Sequence, residues 1–428
     1  MRQKKILELG KELWPINRSI TGNGVNQTLK ILRKYNQNLK IIKFKSGTKV
    51  FDWTIPNEWI VKEAWIKNDK GKKIINFDDN NLHLVGYSVP VKKKLFLKQF
   101  VKKLHFYKHQ PKAIPYVTSY YKKNWGFCLS YNQFKKLNKK IKYEIHINSQ
   151  HKKGYLQCAE IYIPGKSKKE ILFSTYICHP SMANNELSGP LVSTFLSRWL
   201  KNKKNRKWSY RFLFVPETIG SIAYLSKKFK KMKENIIAGY VLNCIGDERA
   251  YSFLPSKFNN TLSDNVARNV LKKRVKSFKE YSWLDSRSDE IQFCSPGIGL
   301  PIASLMRSKY GSYPEYHSSL DTFGKVVTEK GLNQSLNLLK NIVRSIEESS
   351  FPIAKFKCEP QLGKRGLYPN LSKKNSINHD TRLIQYFLSY SDGTNSVSDI
   401  AKKCKSPLKK ILEIQKLLEK KKLISYLQ

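Results

Sequence analysis

"EILFSTYICHPSMANNELSGPLVSTFLSRWLKN", residues 170–202, reads as a strand, a polar loop and an amphipathic helix in direct succession. Its first residues form a near-continuous apolar run, which suits a strand buried on both faces, and its second half carries apolar residues at helical spacing. The same unit recurs downstream. "YRFLFVP" leads to "GSIAYLSKKFKKMKEN", "IAGYVLNCIG" to "SDNVARNVLKKRVKS", and "PIASLMRS" to "GLNQSLNLLKNIVRSIEE". Buried strands alternating with amphipathic helices predict an α/β fold with a mostly parallel mixed sheet covered on both faces. No Gly-rich phosphate loop follows any of these strands, which counts against a nucleotide enzyme.

Outward from this core the texture changes twice. Two amphipathic helices open the chain, separated by the polar turn "NRSITGNG". Between Val50 and Pro90 come short Val-, Ile-, Trp- and Tyr-rich runs broken by Asn, Asp, Gly and Pro, the signature of a small β module. "YEIHINSQHKKGYLQCAEIYIPG" reads as two strands of the core. After the polar linker "GKRGLYPNLSKKNSIN" the tail gives three helical patterns, the middle one capped by Ser398, and a terminal "LISYL" strand, the pattern of a winged helix. The expected organisation is an N-terminal helical part of the core over 1–48, a β-rich insert over 49–130, the α/β core over 131–355 and a winged-helix-like domain over 378–428.

Composition sets further bounds. The 428 residues hold seven cysteines with no C-x-x-C spacing, which argues against a disulfide framework and for a reducing cytoplasm. The opening "MRQKKILELGKELWPI" is interrupted by Glu8, Lys11 and Glu12, unlike a signal peptide, and no run approaches the roughly 18 apolar residues of a membrane helix. No membrane insertion is expected. Lys and Arg total 80 against 32 acidic residues, a formal charge of +48. The lysines are spread along the whole chain, as in a proteome biased toward A and T codons, so the charge implies weak nonspecific binding to polyanions. "KSPLKKILEIQKLLEKKK" lacks the arginines that read base edges well.

In open α/β sheets ligands sit beyond the carboxyl ends of the strands. His179 follows "EILFSTYIC", Glu217 follows "YRFLFVP", Asp247 follows "IAGYVLNCIG", and His317 lies in "YPEYHSSLDTF" after "IASLMRS". Each has an ordinary explanation alone, as a helix cap, a turn former or a satisfied core histidine. Together they make the nitrogen and oxygen donor set of a hydrolytic zinc site with one position left for water.

The run "FSTYICHPSMANNELSG", "FVPETIGSIAYL", "SDEIQFCSPGIGLP" and "YHSSLDTF" resembles the M28-type zinc aminopeptidase superfamily. With "LWPINRSITGNG" it resembles a bacterial aminopeptidase-like subfamily that carries a small β insertion and a C-terminal winged helix. The resemblance covers nearly the whole chain. It implies a zinc exopeptidase-like core holding one or two Zn2+ ions, with His179 as the first histidine ligand and His317 as the last, in an H-[TS]-x-x-D turn. Ser188-Gly189 matches the Ser-Gly that starts the following helix.

The pattern departs in three places. Asn185 stands where the bridging aspartate belongs, and the adjacent Glu186 could supply the carboxylate instead. Ser181 stands where an aspartate orients the first histidine. Pro216-Glu217 replaces a Glu-Glu pair. The resemblance leaves Asp247 or Cys244 as the third ligand and Glu217 or Glu186 as the proton carrier. It gives Asp289 and Glu290 a place at the substrate end, and Arg307 and Tyr316 a substrate carboxylate or carbonyl to hold.

The function implied is a metal-dependent amide hydrolase acting on a small peptide or an amino-sugar amide, linked to surface-polysaccharide biosynthesis. The alternative is a non-catalytic ligand sensor whose winged helix contacts DNA or a partner. The insert is expected to act as a lid or as the contact of a homo-oligomer.

Overall fold

The computed structural model describes residues 2–368 and 379–426. Helices α1 (Arg2–Leu13) and α2 (Asn23–Tyr35) lead into strand β1 (Lys40–Lys45). The chain then leaves the core to build a second sheet from β2 (Glu58–Lys67), β3 (Lys73–Asn76), β4 (Val91–Phe96) and β5 (Lys142–Lys152), and returns in β6 (Tyr155–Ile163). The core continues as β7 (Glu170–Tyr176), α3 (Ser188–Asn202), β8 (Ser209–Val215), α4 (Ile219–Asn235), β9 (Ile236–Leu242), β10 (Ser252–Leu254), α5 (Leu262–Arg274), β11 (Lys279–Glu280), β12 (Ile302–Met306) and α6 (Glu329–Glu348). The C-terminal domain is β13 (Pro352–Ala354), α7 (His379–Ser389), α8 (Val397–Lys403), α9 (Leu408–Lys420) and β14 (Ile424–Tyr426).

The main sheet has the order β1-β6-β8-β7-β9-β12-β10-β11. Its four central strands, β8, β7, β9 and β12, run parallel, and antiparallel neighbours flank them at β6 and β10. Both faces are covered, and alternation along each strand decides which side chain goes where. Ile171 and Phe173 of β7 and Tyr210, Phe212 and Phe214 of β8 pack on one face with α1, α2, α3, α5 and α6. Leu172, Leu213 and Val215 point to the other, where α4 and the inserted sheet meet them. Chain connections leave β7 and β9 in opposite directions, which opens a crevice beyond their carboxyl ends. Gly189 lets α3 begin tight against that crevice, because a Cβ there would stand 2.2 Å from the Leu242 carbonyl oxygen.

Three expectations need correction. Strand β5, assigned to the core by its sequence, pairs with β2 and β4 in the inserted sheet, so the insert runs to about residue 154 instead of 130. Its ends are the paired strands β1 and β6, so the excursion leaves and re-enters the core at one place. The C-terminal domain begins at β13, which pairs antiparallel with β14, and not at 378. Much of the expected linker before residue 379 lies outside the described residues. The middle helix of that domain is capped by Ser396, whose hydroxyl accepts from Asp399 N in a capping box, while Ser398 lies inside the helix. Among the described residues no helix is long and apolar enough to cross a membrane.

Candidate metal centre

The loop after β7 turns sharply before α3 begins. Ser181 has φ +35°, and Ala183–Leu187 form a single wide π-helical turn. Thr218 after β8, Cys244 after β9 and His317 after β12 also take positive φ, at 63°, 46° and 55°. Non-glycine residues avoid this region, and strain of this kind gathers where a site over-determines the backbone. Every parallel central strand therefore ends in a bent loop that aims side chains into one crevice.

His179 is the hub of the crevice. It is nearly fully buried, and its ring is flanked by Tyr176, Tyr116 and His317 at centroid distances of 5.2, 5.4 and 5.7 Å. Nδ1 lies 2.8 Å from Glu186 Oε2, a hydrogen bond, while Nε2 lies 3.5 Å from Glu217 Oε2. Burial disfavours the imidazolium, yet the adjacent Cys178 sulfur and the Glu186 carboxylate outweigh it and hold the His179 pKa well above the ordinary value. Burial, with His179 adding to it, pushes His317 down to about 3, so His317 is a neutral imidazole. Tyr316 stacks on it at 3.9 Å with an interplanar angle of 12°.

Glu217 has its own support. Its Oε1 accepts from Ser288 Oγ at 2.5 Å, and its backbone N–H points at Cys178 Sγ at 3.2 Å. Its side chain is 24% exposed, against 0% for Glu186. Enclosure in the crevice raises the Glu217 pKa, and the neighbouring His179 opposes that rise. Burial pushes the Cys178 thiol up to about 11, and the neighbouring His179 opposes that rise.

Other residues named from the sequence do different work. Asp247 accepts from Arg249 N, Ser308 N, Ser308 Oγ and Asn184 Nδ2, so both of its oxygens are committed to tying three loops together. Cys244 is buried with its sulfur 4.0 Å from the Tyr313 hydroxyl. Glu290 is fully buried and accepts from Arg287 N, Ser288 N, Ser304 Oγ and Tyr310 Oη, which seats Ser288 under Glu217. Asp289 is also fully buried and receives Thr218 N at 2.7 Å. Arg307 donates to Ala250 O and Gln334 Oε1 and lies over the Tyr251 ring, so its guanidinium is engaged away from His179. The structure thus brings together His179, Glu186, Glu217, His317 and Tyr316. It uses Asp247, Glu290 and Arg307 as braces, and Asp289 as a support beneath the Glu217 loop.

Four contributors were not singled out from the sequence. Arg18, in "PINRSITG", is fully buried. It donates from Nε to His179 O and from Nη1 to Leu13 O, and Nε stands 3.5 Å from Glu186 Oε1. Asp321 accepts Asn184 N, Asn185 N and the Tyr313 hydroxyl, which couples the His179 loop to the His317 loop. The H-[TS]-x-x-D turn was the available signal for it. Tyr176 accepts from Asn185 Nδ2. Tyr116, from the insert, packs edge-on against both histidines. Its backbone N–H donates to His317 O, and Ile114 and Ser319 exchange two further bonds. One flank of the crevice is therefore built by the insert.

The donor chemistry fits a divalent ion on the Nε2 side of His179. Two ligand atoms each about 2.1 Å from one tetrahedral ion stand about 3.4 Å apart, close to the observed 3.5 Å between Nε2 and Glu217 Oε2. Two imidazoles sharing that ion would have centroids roughly 5 Å apart, near the separation of the His179 and His317 rings.

The fold is the one shared by solved zinc aminopeptidases and an M28 peptidase, here with an inserted β sheet and a C-terminal winged helix. BSAP, a zinc aminopeptidase from Bacillus subtilis, superposes with a TM-score of 0.59 at 14% identity, over 80% of this chain and 94% of that one. A crystal structure described as a "putative peptidase" from Clostridium acetobutylicum superposes with a TM-score of 0.82 at 41% identity, over 100% of this chain and 97% of that one. A Clostridium acetobutylicum protein named "putative polysaccharide biosynthesis protein with aminopeptidase-like domain" is 44% identical over 400 residues, 93% of this chain and 91% of that protein. The chain belongs to the family described as "Domain of unknown function (DUF4910)", which matches residues 7–349. Residues 352–426 match the winged helix-turn-helix family.

Proposed function

We propose that the protein is a zinc-dependent hydrolase that cleaves an amide bond at a peptide N-terminus or in an acylated amino compound, and that it serves surface-polysaccharide biosynthesis. The observation that carries this reading is the juxtaposition of His179 Nε2, Glu217 Oε2 and the neutral His317 ring at the strand ends of an aminopeptidase-like fold. The name of the Clostridium acetobutylicum relative supports the link to polysaccharide and directs attention to amino-sugar amides.

His179 Nε2, His317 and Glu217 would hold the ion. A zinc ion there supplies a Lewis acid for an amide carbonyl and lowers the pKa of water toward about 7. The chain's own residues do the rest. Glu217 supplies the anionic oxygen of the ligand set: its Oε2 faces His179 Nε2, and its partly exposed side chain borders the open side of the crevice. Ser288 Oγ fixes the Glu217 carboxylate by its hydrogen bond to Oε1, and Glu290 fixes Ser288. Tyr116 and Tyr316 wall the histidines and exclude bulk water from their faces.

The test is zinc content per chain after purification without chelator, for the native protein and for His179→Ala and His317→Ala, followed by a screen of peptide and N-acyl amino-sugar amides. Zinc in the native protein and its loss in both variants support the reading. A native protein that holds no zinc and takes none up at micromolar levels overturns it. The winged helix-turn-helix match favours a second reading, a sensor that contacts DNA or a partner through its C-terminal domain. Sequence-selective DNA binding with steep salt dependence would support that alternative.

A further inference from the structure

We propose that Glu186 is a positioning residue for His179, that Arg18 locks it in place, and that the site therefore takes a single divalent ion on the Nε2 side of the imidazole. This inference rests on the reading of the crevice as a metal centre and concerns what this chain's departures from the usual pattern accomplish.

The first departure leaves an imidazole without its orienting partner. Ser181 Oγ donates to Trp14 O and accepts from Asn81 Nδ2, so it is directed away from the His179 ring. A ligating histidine needs an acceptor on its other ring nitrogen, which fixes both tautomer and ring plane. Glu186 provides it. The 2.8 Å distance to Nδ1 is that of a charge-assisted hydrogen bond, shorter than the separation of two ligands on one ion. With Nδ1–H donated to Glu186, Nε2 is the ring atom that faces Glu217 and the open side of the crevice.

The second departure removes the anion that a two-ion centre needs between its cations. Asn185 is neutral, and its amide donates to the Tyr176 hydroxyl. Charge on the Nδ1 side is already balanced. The Arg18 guanidinium and the Glu186 carboxylate are both at 0% side-chain exposure with Nε and Oε1 3.5 Å apart, and the guanidinium is held by the carbonyls of His179 and Leu13. A fixed cation in that enclosure repels a second one strongly, because water is not there to screen it. The ligand atoms of Cys178, His179 and Glu186 do lie within 4.8 Å of one another, and they would form a rival site. Arg18 beside Glu186, and the Cys178 sulfur facing the Glu217 N–H, argue against that rival.

The experiment titrates apo protein with zinc, and with cobalt(II) for its visible spectrum, in competition with a chelator of known affinity. It uses the native chain, His179→Ala, Glu186→Gln and Glu186→Asp, with circular dichroism as the check on folding. The expected native stoichiometry is one ion per chain. His179→Ala loses the ion, Glu186→Gln keeps one ion with about 10- to 100-fold weaker affinity, and Glu186→Asp recovers part of the difference. In the zinc-loaded protein the downfield proton resonance of His179 Nδ1–H moves upfield in Glu186→Gln, a change that a merely structural role would not produce. Two ions per native chain, loss of the ion from Glu186→Gln as complete as from His179→Ala, or unchanged affinity in that variant each overturn the inference while the metal reading stands. A native chain that binds no ion overturns both.

Discussion

Glu217 and Asp247 occupy equivalent places in successive units of the fold, each in the loop past a buried parallel strand, and the structure treats them differently. Asp247 is 1% exposed and receives four hydrogen bonds from three loops. Glu217 keeps a quarter of its side chain exposed, has Ser288 on one oxygen, and turns the other toward His179. A carboxylate whose lone pairs are all filled by N–H and O–H donors is a brace, since coordinating an ion would first require breaking those bonds. A carboxylate with one oxygen left over is available for chemistry. Position at a strand end is shared by both residues; donor saturation separates them.

The sharpest way to break this comparison is to remove each charge. Glu217→Gln is expected to weaken zinc binding by at least about 100-fold, and turnover of a cleaved amide with it, while the melting temperature of the metal-free protein stays nearly unchanged, measured by zinc titration and steady-state kinetics beside a melting curve. A variant that keeps full zinc affinity would dismiss Glu217 from the ligand set. Arg18→Met should behave oppositely. It leaves the Glu186 charge buried without its guanidinium, and a loss of about 3–5 kcal/mol is expected in urea unfolding. Asp247→Asn belongs with the braces: it replaces a charged acceptor by an amide that faces N–H donors, and roughly 3 kcal/mol of stability should go. Zinc affinity should change little in that variant once folding is restored by low temperature. A large selective loss of zinc would return Asp247 to the ligand set.

A smaller effect separates the braces by pH. Burial raises Asp321 to about 6, although two backbone N–H groups and the Tyr313 hydroxyl oppose the shift. The folded protein therefore holds this proton more tightly than the unfolded chain, where the pKa is about 3.9. Stability from this group is present below about pH 4 and is lost as pH rises through 6, amounting to at most about 3 kcal/mol. Urea unfolding of native protein and Asp321→Asn between pH 4 and 7 should show that falling component only in the native chain. The smallest expected change is at Tyr116. Removing one ring that packs edge-on against both histidines should cost about 1 kcal/mol and weaken zinc binding severalfold.

The helices and parallel strands were legible because their signal is local: a buried strand is an apolar run and a surface helix has a stripe. His179, Glu217 and His317 were legible for a related reason, since a strand end can be located once the strand is. The register of β5 was not, because its alternating pattern suits either sheet and only its pairing with β2, some 80 residues earlier, decides. The roles of Asp247, Glu290 and Arg307 depend on which donors and acceptors surround them after folding, and a single sequence does not record that. Arg18 lay in plain view within a recognised stretch, yet its partner is the His179 carbonyl 161 positions away. Tyr116 sat in an aromatic, irregular segment with no period to read.

The backbone bonds between Ile114, Tyr116 and the His317 loop bear on how the site changes over generations. Occupation of the crevice and attachment of the insert are linked equilibria, so a ligand that binds only the assembled form strengthens the junction by RT ln(1 + [L]/Kd), and a looser junction weakens the ligand in return. Substitutions anywhere along the inserted sheet that shift this attachment can retune the affinity of the centre while every liganding side chain stays the same. The insert is in that sense the adjustable part of the centre, and the histidines are its fixed part.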